Sequence, residues 1–322
     1  MRAFVTGATG FIGRHLVEKL RARGHDVIAL VRSPHRASAV RDLGGELAEG
    51  DVSDPVAVRR ALDGCDAVFH VAGVYRVGIR PSERPDMYQA NAHGTEIVLD
   101  AAAEASIPRI VYVSTCNVFG NTGGRVIDET YERPAADGFL SYYDETKYLA
   151  HQAAVDRIHR GAPIVIVQPG GVYGPGDHSE IGWMLEQLRR KRLRVRLFPE
   201  LGMTFVFVAD VAEGIVLAHE RGRLGESYVL GGEVATMGDL LDRAASLLGR
   251  RPPRRTVPAP LIRMAAPLGP LAARLMGTPP NLVEAMRAAR GVTYWATDAK
   301  ARRELGYRPR SLEEGLRETL SG

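Results

Sequence analysis

Short runs of β-branched and other apolar residues alternate with longer amphipathic stretches over residues 1–170. This alternation is typical of βαβ units, because a buried parallel strand is apolar throughout whereas a covering helix is apolar on one face. The apolar runs predict strands at residues 3–6, 26–31, 45–49, 67–71, 109–114 and 164–168. The amphipathic stretches predict helices at residues 10–23, 55–62, 88–105 and 142–159. The sequence therefore predicts an α/β fold, a Rossmann doubly wound parallel sheet.

The regular alternation ends at a segment rich in glycine and proline, residues 169–177. The pattern beyond it predicts helices at 180–191, 210–220, 237–248 and 311–320, and strands at 204–208 and 227–230. We expect these two strands to return to the large sheet, while the rest forms a smaller, mostly helical lobe. Residues 1–170 would then be the dinucleotide-binding domain. Residues 171–322 would be a mixed substrate-binding lobe, with about 204–230 returning to the Rossmann sheet.

One apolar stretch, residues 259–277, is interrupted by prolines and arginines. It fits a lid over a substrate, a dimer face or core packing. We favour core packing and leave homodimer formation open.

Composition adds few constraints. Hydrophobic residues make up 45% and charged residues 25% of the chain, ordinary values for a globular protein. The net charge of +4 includes one dense basic run at 189–196, which fits the solvated end of a helix better than a nucleic-acid site. We therefore expect a small-molecule substrate and no nucleic-acid partner.

The cysteines Cys65 and Cys116 are too few for a disulfide framework. No apolar run is long enough to predict a membrane span, and a strand pattern occupies the place of a signal peptide. These features predict a cytoplasmic protein. His151 and His159 lack cysteine or acidic partners at ligand spacing, so we expect no metal site.

A glycine-rich turn directly follows the first predicted strand and opens the first helix. Glycines are needed at such a turn because a dinucleotide pyrophosphate approaches the backbone closely, while the helix N-terminus offers N–H groups to the phosphates. The predicted cofactor-binding residues of this turn are Gly7, Thr9, Gly10, Phe11, Ile12 and Gly13.

The end of the second strand bears on the choice of nicotinamide cofactor. An acid there binds the ribose 2′-hydroxyl of NAD, whereas an arginine accommodates the 2′-phosphate of NADP. The strand ends at Arg32 without an acid, and Arg36 follows. We therefore expect NADP to be preferred over NAD, although Arg32 is also consistent with a solvated strand end.

Further residues are predicted to complete the cofactor site. Asp51 is suited to hydrogen-bonding the adenine amine, but it is also suited to capping the next helix. Asn91 is expected to brace the loop backbone more than to contact substrate. The remaining predicted cofactor residues are Val52, Val71, Ala72, Gly73, Pro169 and Val172.

Tyr143 and Lys147 are four residues apart, so a helix would place them on one face. A phenol that exchanges protons near neutral pH needs a nearby positive charge, and Lys147 would supply it. Tyr142 is excluded because Thr146 occupies the position four residues on. Thr115, at the carboxyl end of a predicted strand, is expected to hold the substrate oxygen, and Ser114 is the competing choice.

Taken together, these motifs resemble the extended short-chain dehydrogenase/reductases, the NAD-dependent epimerase/dehydratase group. The resemblance is closest to the dihydroflavonol-reductase-like bacterial members and the hopanoid-associated sugar epimerase subgroup, through residues 228–233. It implies that Thr115, Tyr143 and Lys147 are catalytic and that Lys147 also binds the nicotinamide ribose. The matching segments are Gly7/Gly10/Gly13, Asp51-Val52, Asn91 with Gly94-Thr95, Ser114-Thr115 with residues 118–120, Tyr143/Lys147, residues 169–177, residues 208–211 and residues 305–309.

Two departures concern the substrate. The family often has an arginine where Gln168 stands and another near Phe205, which contacts a nucleotide-sugar phosphate. Their absence here weakens the case for a UDP-sugar.

The predicted function is an NAD(P)-dependent oxidoreductase that transfers hydride between nicotinamide and a carbonyl or alcohol carbon, with Tyr143 as acid/base. The alternative is an NAD-dependent sugar epimerase or dehydratase that uses the same residues. A third alternative, a non-catalytic dinucleotide sensor, is disfavoured because Thr115, Tyr143 and Lys147 are all present.

Overall fold

The computed structural model describes residues 1–256 and 281–321. The apolar stretch 259–277 discussed above lies outside the described residues. No helix within the described ranges is long and apolar enough to cross a membrane.

The strands and helices have the following bounds. The strands are Arg2–Thr6 (β1), Asp26–Val31 (β2), Glu46–Glu49 (β3), Ala67–His70 (β4), Ile110–Val113 (β5), Ile164–Pro169 (β6), Gly171–Tyr173 (β7), Gly202–Phe207 (β8), Ser227–Leu230 (β9), Glu233–Thr236 (β10) and Thr293–Tyr294 (β11). The helices are Phe11–Ala22 (α1), Ser38–Asp42 (α2), Pro55–Leu62 (α3), Arg84–Tyr88 (α4), Gly94–Glu104 (α5), Tyr142–His159 (α6), Glu180–Arg189 (α7), Val208–Arg221 (α8), Met237–Leu247 (α9), Leu282–Ala289 (α10), Ala299–Leu305 (α11) and Leu312–Ser321 (α12).

Seven strands form a parallel sheet in the order β3-β2-β1-β4-β5-β6-β9. The first six follow the Rossmann order, in which the chain runs outward in both directions from β1. This confirms the predicted fold class. The cleft above β1 and β4, where the strand order reverses, is the place where such sheets bind ligands.

Apolar side chains cover both faces of this sheet. Val5 packs in one buried cluster with Leu16 of α1 and Ile215 of α8. The next residue back, Phe4, packs in the opposite cluster with Leu99 of α5. Because neighbouring strand residues point to opposite faces, an apolar run gives a strand that is buried on both sides.

A second sheet lies in the C-terminal half. β8 pairs with β10 in an antiparallel ladder and with β7 and β11 in parallel. The prediction that residues 204–208 return to the large sheet is wrong, whereas the prediction for 227–230 is confirmed by β9. β8 joins the smaller sheet because β7 and β10, which the sequence pattern did not indicate, flank it.

The chain passes from one sheet to the other at glycines. Gly170 separates β6 from β7, and Gly232 precedes β10. A Cβ would lie 2.0 Å from the Thr204 carbonyl oxygen at Gly170 and 2.3 Å from the Phe205 carbonyl oxygen at Gly232. Only glycine permits this close approach to β8, so these positions hold the smaller sheet against the carboxyl ends of the large one.

Candidate active site

A cavity of about 590 Å³ lies where the large sheet meets the C-terminal lobe. Arg36, Asn91 and Lys147 do not line it. The predicted site residues that do line it are Gly7, Thr9, Gly10, Phe11, Ile12, Gly13, Arg32, Asp51, Val52, Val71, Ala72, Gly73, Thr115, Tyr143, Pro169 and Val172.

The glycine turn is packed against the protein's own backbone. Gly7 has a φ of +73°, and a Cβ there would lie 2.7 Å from the Ala72 nitrogen. A Cβ on Gly13 would lie 2.0 Å from the Gly7 carbonyl oxygen, so the turn and the first turn of α1 are in close contact. Gly10, by contrast, is exposed to the cavity.

The N-terminus of α1 opens into this cavity. No side chain of the described residues caps it, and its first turn contains no acid. Backbone N–H groups at such an end attract anions, which the helix dipole also favours. The arrangement therefore fits the pyrophosphate of a dinucleotide.

Two side chains of opposite charge lie at the end of β2. Arg32 is 79% exposed, and its Nε is 4.0 Å from Asp51 Oδ2. Asp51 Oδ1 accepts hydrogen bonds from the backbone and hydroxyl of Ser53, at 2.9 and 2.7 Å. Arg36 is exposed in the turn that follows β2. Arg32 is thus free to turn toward a ligand, while Asp51 is already held.

A buried imidazole supports the loop after β4. His70 Nδ1 is 2.7 Å from Thr6 Oγ1, and His70 Nε2 is 2.9 Å from Thr95 Oγ1. Burial, and next the charge of Lys147, lower the pKa of His70 to about 3, so it is neutral. Thr6 Oγ1 also accepts from the Ala72 N–H at 3.2 Å. His70 therefore fixes the loop that lines the cofactor cavity, a role that the sequence did not reveal.

Asn91 braces the next part of that loop. Its Oδ1 accepts from the Val74 N–H at 2.6 Å, and its Nδ2 donates to the Val74 carbonyl at 3.0 Å. Nδ2 also donates to Thr146 Oγ1 of α6 at 3.0 Å. Asn91 lies in a π-helical turn, Gln89–His93, a distortion that often accompanies functional sites. The amide thus ties the loop to the helix that carries Tyr143 and Lys147.

Tyr143 lies in the first turn of α6, which Ser141 caps by accepting from the Asp144 N–H at 3.1 Å. The Tyr143 side chain is buried at the cavity wall, with Tyr75 packed edge-on at 4.8 Å between ring centroids. Burial, followed by the Asp144 charge, raises the pKa of Tyr143, whereas a hydrogen bond with Thr115 opposes the rise. Without a ligand, the phenol therefore holds its proton.

The structure separates the roles of the two hydroxyls after β5. Thr115 interacts with Tyr143 at the cavity wall, and its Oγ1 accepts from the Asn117 N–H at 3.2 Å. Ser114 also reaches the cavity, but its Oγ lies 3.0 Å from His151 Nδ1. The geometry therefore places Thr115 beside the phenol and directs Ser114 toward α6.

Lys147 lies behind the cavity wall and is buried. Its Nζ donates to the Val113 carbonyl at 3.1 Å and lies 3.4 Å from Tyr112 Oη. Burial lowers the pKa of Lys147 to about 8. The ammonium therefore points into the protein, one helical turn from Tyr143, with a pKa near neutral pH.

Asp144, next to Tyr143, is a buried acid that the sequence reading did not single out. Its Oδ1 accepts from Asn117 Nδ2 at 2.9 Å, and its Oδ2 is 3.4 Å from Tyr294 Oη. Burial raises the pKa of Asp144 to about 6, although these hydrogen bonds oppose the rise. An acid beside the candidate tyrosine was visible in the sequence, but its burial was not.

Residues from the C-terminal region hold the turn that begins α6. Glu284, only 3% exposed, accepts from the Tyr142 N–H at 3.0 Å through Oε1. Arg287 Nε donates to the Leu140 carbonyl at 2.8 Å. We call Glu284 and Arg287 the C-terminal clamp. No sequence signal linked these residues to the turn that carries Tyr143.

The part of the cavity beyond the predicted cofactor residues is lined by both apolar and polar side chains, and the polar ones include Asp177 and Ser179. Arg32, at the opposite end, is the one lysine or arginine among the described lining residues. The sequence predicts a substrate-binding lobe only at residues 171–322, so Val74, Tyr75 and Asn117 are additions from the structure. The lining residues here include Val74, Tyr75, Asn117, His178, Ile181 and Met203.

The residues present fit a nicotinamide dinucleotide. The open N-terminus of α1 suits its pyrophosphate, and the buried pair of Tyr143 and Lys147 suits proton exchange at an oxygen next to the nicotinamide. When bound, such a cofactor supplies or accepts a hydride.

Known proteins share this architecture. Residues 3–231 match the model of the NAD dependent epimerase/dehydratase family. A protein of Synechocystis sp. that carries the name dihydroflavonol 4-reductase is 32% identical over 330 residues, covering 98% of this chain and 93% of the relative. The 4-hydroxy-2-methyl-3-oxo-4-farnesyl-3,4-dihydroquinoline-1-oxide ketoreductase of Stigmatella aurantiaca is 34% identical over 326 residues, covering 98% and 95%.

A solved structure agrees with these matches. The crystal structure of gox2253 superimposes with a TM-score of 0.83 and 33% identity, covering 99% of this chain and 96% of that one. The resemblance inferred from the motifs is thereby confirmed. The chain belongs to the NAD dependent epimerase/dehydratase family and is an NAD(P)-dependent oxidoreductase of the extended short-chain dehydrogenase/reductase type.

Proposed function

We propose that this protein reduces the carbonyl group of a substrate that is not a sugar nucleotide, or oxidises the corresponding alcohol, with NADPH/NADP⁺ as the preferred cofactor. One observation carries the proposal: a single cavity joins the glycine turn to Tyr143 and Thr115, with Lys147 buried behind its wall. This is the set of groups that hydride transfer coupled to proton transfer requires.

Each catalytic side chain has a defined part. Tyr143 holds a proton in the ligand-free site and gives it to the substrate oxygen during reduction. Thr115 orients that oxygen beside the phenol. The ammonium of Lys147 favours the phenolate that remains, because a nearby positive charge stabilises the charged form.

The lining of the cavity favours a reductase over a nucleotide-sugar epimerase. A sugar nucleotide carries a second pyrophosphate, which proteins usually bind with arginine or lysine. Apart from Arg32 at the β2 end, no such residue belongs to the described lining. The substrate region instead presents apolar side chains such as Ile181 and Met203 beside polar ones such as Asp177 and Ser179. The names of the two relatives, a dihydroflavonol reductase and a ketoreductase, agree with this choice.

The cofactor preference rests on Arg32. Its exposed guanidinium lines the cavity at the end of β2 and is only loosely paired with Asp51. A guanidinium binds phosphate in a bidentate geometry, and the 2′-phosphate is what distinguishes NADP from NAD.

Replacing Tyr143 with phenylalanine tests the assignment. NADPH oxidation is measured with a dihydroflavonol, a 3-ketosteroid and a 2-alkyl-3-oxoalkanoate, and cofactor affinity is measured by calorimetry. Tyr143→Phe should lower kcat by about a thousandfold, since proton transfer supplies roughly two to four orders of magnitude, and should leave cofactor affinity within about threefold.

The matched control is Tyr142→Phe, which removes the neighbouring phenol of the same helix and should keep wild-type kcat. Substantial turnover by Tyr143→Phe would end the assignment. Purified protein that carries bound NAD and converts sugar nucleotides without added cofactor would instead establish the epimerase alternative.

A further inference from the structure

A second cavity, of about 300 Å³, lies beside α6. Its described lining comes from residues 118–119 and 129–133, from α6 and from the strands β6 and β9. None of these residues lines the active-site cavity. A volume of this size falls at the lower end of the range for small-molecule sites. The second cavity is therefore large enough for a small ligand that does not compete with the cofactor.

One arginine of this lining is held in place without a charged partner. The Arg133 guanidinium carbon lies over two aromatic rings, 4.2 Å from the ring centre of Phe139 and 5.4 Å from that of Tyr148. Within residues 1–256 and 281–321, no ion pair involves Arg133. Stacking on a ring face restrains a guanidinium and leaves the N–H groups at its edge available. Arg133 is therefore arranged to bind an anion.

Two acids belong to the same lining, Glu129 and Glu132. Glu129 is fixed at the wall, because its Oε1 accepts from the Val229 N–H at 2.7 Å. In the part of the chain that the structure describes, neither acid forms an ion pair with Arg133 or with another cation. Burial raises the pKa of Glu129, and a bound cation would relieve this penalty on the charged form. Opposite charges thus share the cavity without neutralising each other.

The other polar side chains of the lining add no charge. Burial, and next the charge of Lys147, lower the pKa of His151 to about 4, so its imidazole is neutral at pH 7. Gln168 is 1% exposed, and its Nε2 has no hydrogen-bond partner among the described residues. A buried amide in this state costs free energy unless a ligand or ordered water bonds to it. The cavity therefore combines unpaired charges with an unmet hydrogen bond.

We propose that the second cavity binds a small zwitterion, a free α-amino acid, with the carboxylate at Arg133 and the ammonium at Glu129. A molecule that carries both charges satisfies the guanidinium and the acids together. A simple anion would face the carboxylates, and a simple cation would face the guanidinium, so the lining disfavours both. The site does not depend on the proposed function, because its described lining is separate from that of the active-site cavity.

The first measurement is thermal unfolding of the full chain with each standard α-amino acid at about 10 mM. An amino acid that fits the cavity should raise Tm by about 2 °C at about ten times its Kd, because it binds only the folded state. Calorimetry then measures its affinity with and without saturating NADP⁺. NADP⁺ should change this affinity by less than about twofold, since distant sites act independently.

Derivatives of the amino acid that binds test each charge separately. Its methyl ester lacks the anion and its N-acetyl derivative lacks the cation, so the wild type should bind each about tenfold more weakly. Arg133→Gln should lose the preference over the methyl ester, because glutamine has no charge to pair with the carboxylate. Glu129→Gln should likewise lose the preference over the N-acetyl derivative.

The matched control is Arg125→Gln. Arg125 also lies over an aromatic ring, that of Tyr131, but it does not line the second cavity. This variant should bind the amino acid and both derivatives as the wild type does. The comparison of derivatives on the wild type needs no variant, so it decides the matter even where a substitution disturbs folding.

Any of four results would overturn this site. No amino acid raises Tm, or acetate or methylamine alone raises it as much as the amino acid does. NADP⁺ competes with the amino acid, which would place the ligand in the active-site cavity. Arg125→Gln weakens binding as much as Arg133→Gln, which would show a general effect of surface charge. None of these results bears on the proposed function, which NADPH oxidation with the ketone panel tests separately.

Discussion

The two ends of the active-site cavity are built by opposite means. At the nucleotide end the backbone provides the surface, through the turn from Gly7 to Gly13 and the uncapped start of α1. At the other end, side chains from distant segments meet: Thr115 interacts with Tyr143, and Glu284 accepts from the N–H of the preceding residue, Tyr142. The nucleotide end requires that side chains be absent from the glycine turn, whereas the end at Tyr143 requires several side chains in fixed positions.

This contrast explains how each end tolerates change. A backbone site fails when any atom is added, because the clash is with main-chain atoms that cannot move aside. A side-chain network fails in degrees, since each hydrogen bond contributes about 1 kcal/mol and neighbours partly compensate. Substitutions at the two ends should therefore differ in kind as well as in size.

The largest effect is expected at Gly13. A Cβ there would lie 2.0 Å from the Gly7 oxygen, whereas a Cβ on Gly10 would lie 3.1 Å from the same atom. Gly13→Ala should destabilise the fold by about 3 kcal/mol or more and abolish cofactor binding. Gly10→Ala should stay folded and lose only affinity. Thermal unfolding measures the stability of both variants, and calorimetry measures their cofactor affinity. A stable Gly13→Ala variant with normal affinity would show that the backbone of the turn can shift to make room for the added methyl group.

An intermediate effect is expected at Asp144 of the catalytic end. Because burial raises its pKa from 3.8 to about 6, the folded protein keeps a proton that the unfolded chain releases in this range. The stability contributed by this group is therefore complete below about pH 4 and is lost as the pH rises to about 6. Asparagine does not ionise, so the Asp144→Asn variant does not lose this stability as the pH rises. Its free energy of unfolding relative to that of the wild type should therefore increase by about 3 kcal/mol between pH 4 and pH 7.

Chemical denaturation at several pH values measures this difference. Asp156→Asn, an exposed site on the same helix, serves as the control and should show little change. A pH-independent difference for Asp144→Asn would mean that the carboxyl titrates normally.

The smallest effect is expected at Arg32, where one exposed side chain supplements a backbone site. Arg32→Ala should weaken NADP⁺ binding about tenfold, or about 1.4 kcal/mol, and change NAD⁺ binding by less than about twofold. Arg41→Ala, which alters another exposed arginine of this region, should change neither. Equal losses for both cofactors would remove the basis for an NADP preference.

The features that the sequence could predict are those that depend on residues close together along the chain. The glycine turn, β9 and the helix bearing Tyr143 and Lys147 followed from local patterns, because spacing alone defines a tight turn or a helix face. The helix predicted at 88–105 is present as α5, which runs from Gly94 to Glu104. In the structure it is preceded by the short helix that begins at Arg84 and by the π-helical turn that contains Asn91.

What the sequence could not predict depends on contacts between distant segments. β8 has the composition of a strand of the large sheet, and only its pairing with β7 and β10 assigns it to the smaller one. The burial of Asp144 and the bond between Ser114 and His151 likewise depend on which elements pack together. No local period encodes such neighbours.

The C-terminal clamp has a consequence for how the chain is divided. The family match ends at residue 231, whereas Glu284 and Arg287 lie more than fifty positions further on and hold the start of the helix that bears Tyr143. A fragment trimmed to the matched region would keep the proposed catalytic residues Thr115, Tyr143 and Lys147 but would lose the contacts that hold the start of the Tyr143 helix. Joining residues 232–322 to the first part of another family member would exchange that support, whereas the described residues that line the active-site cavity all lie before position 231.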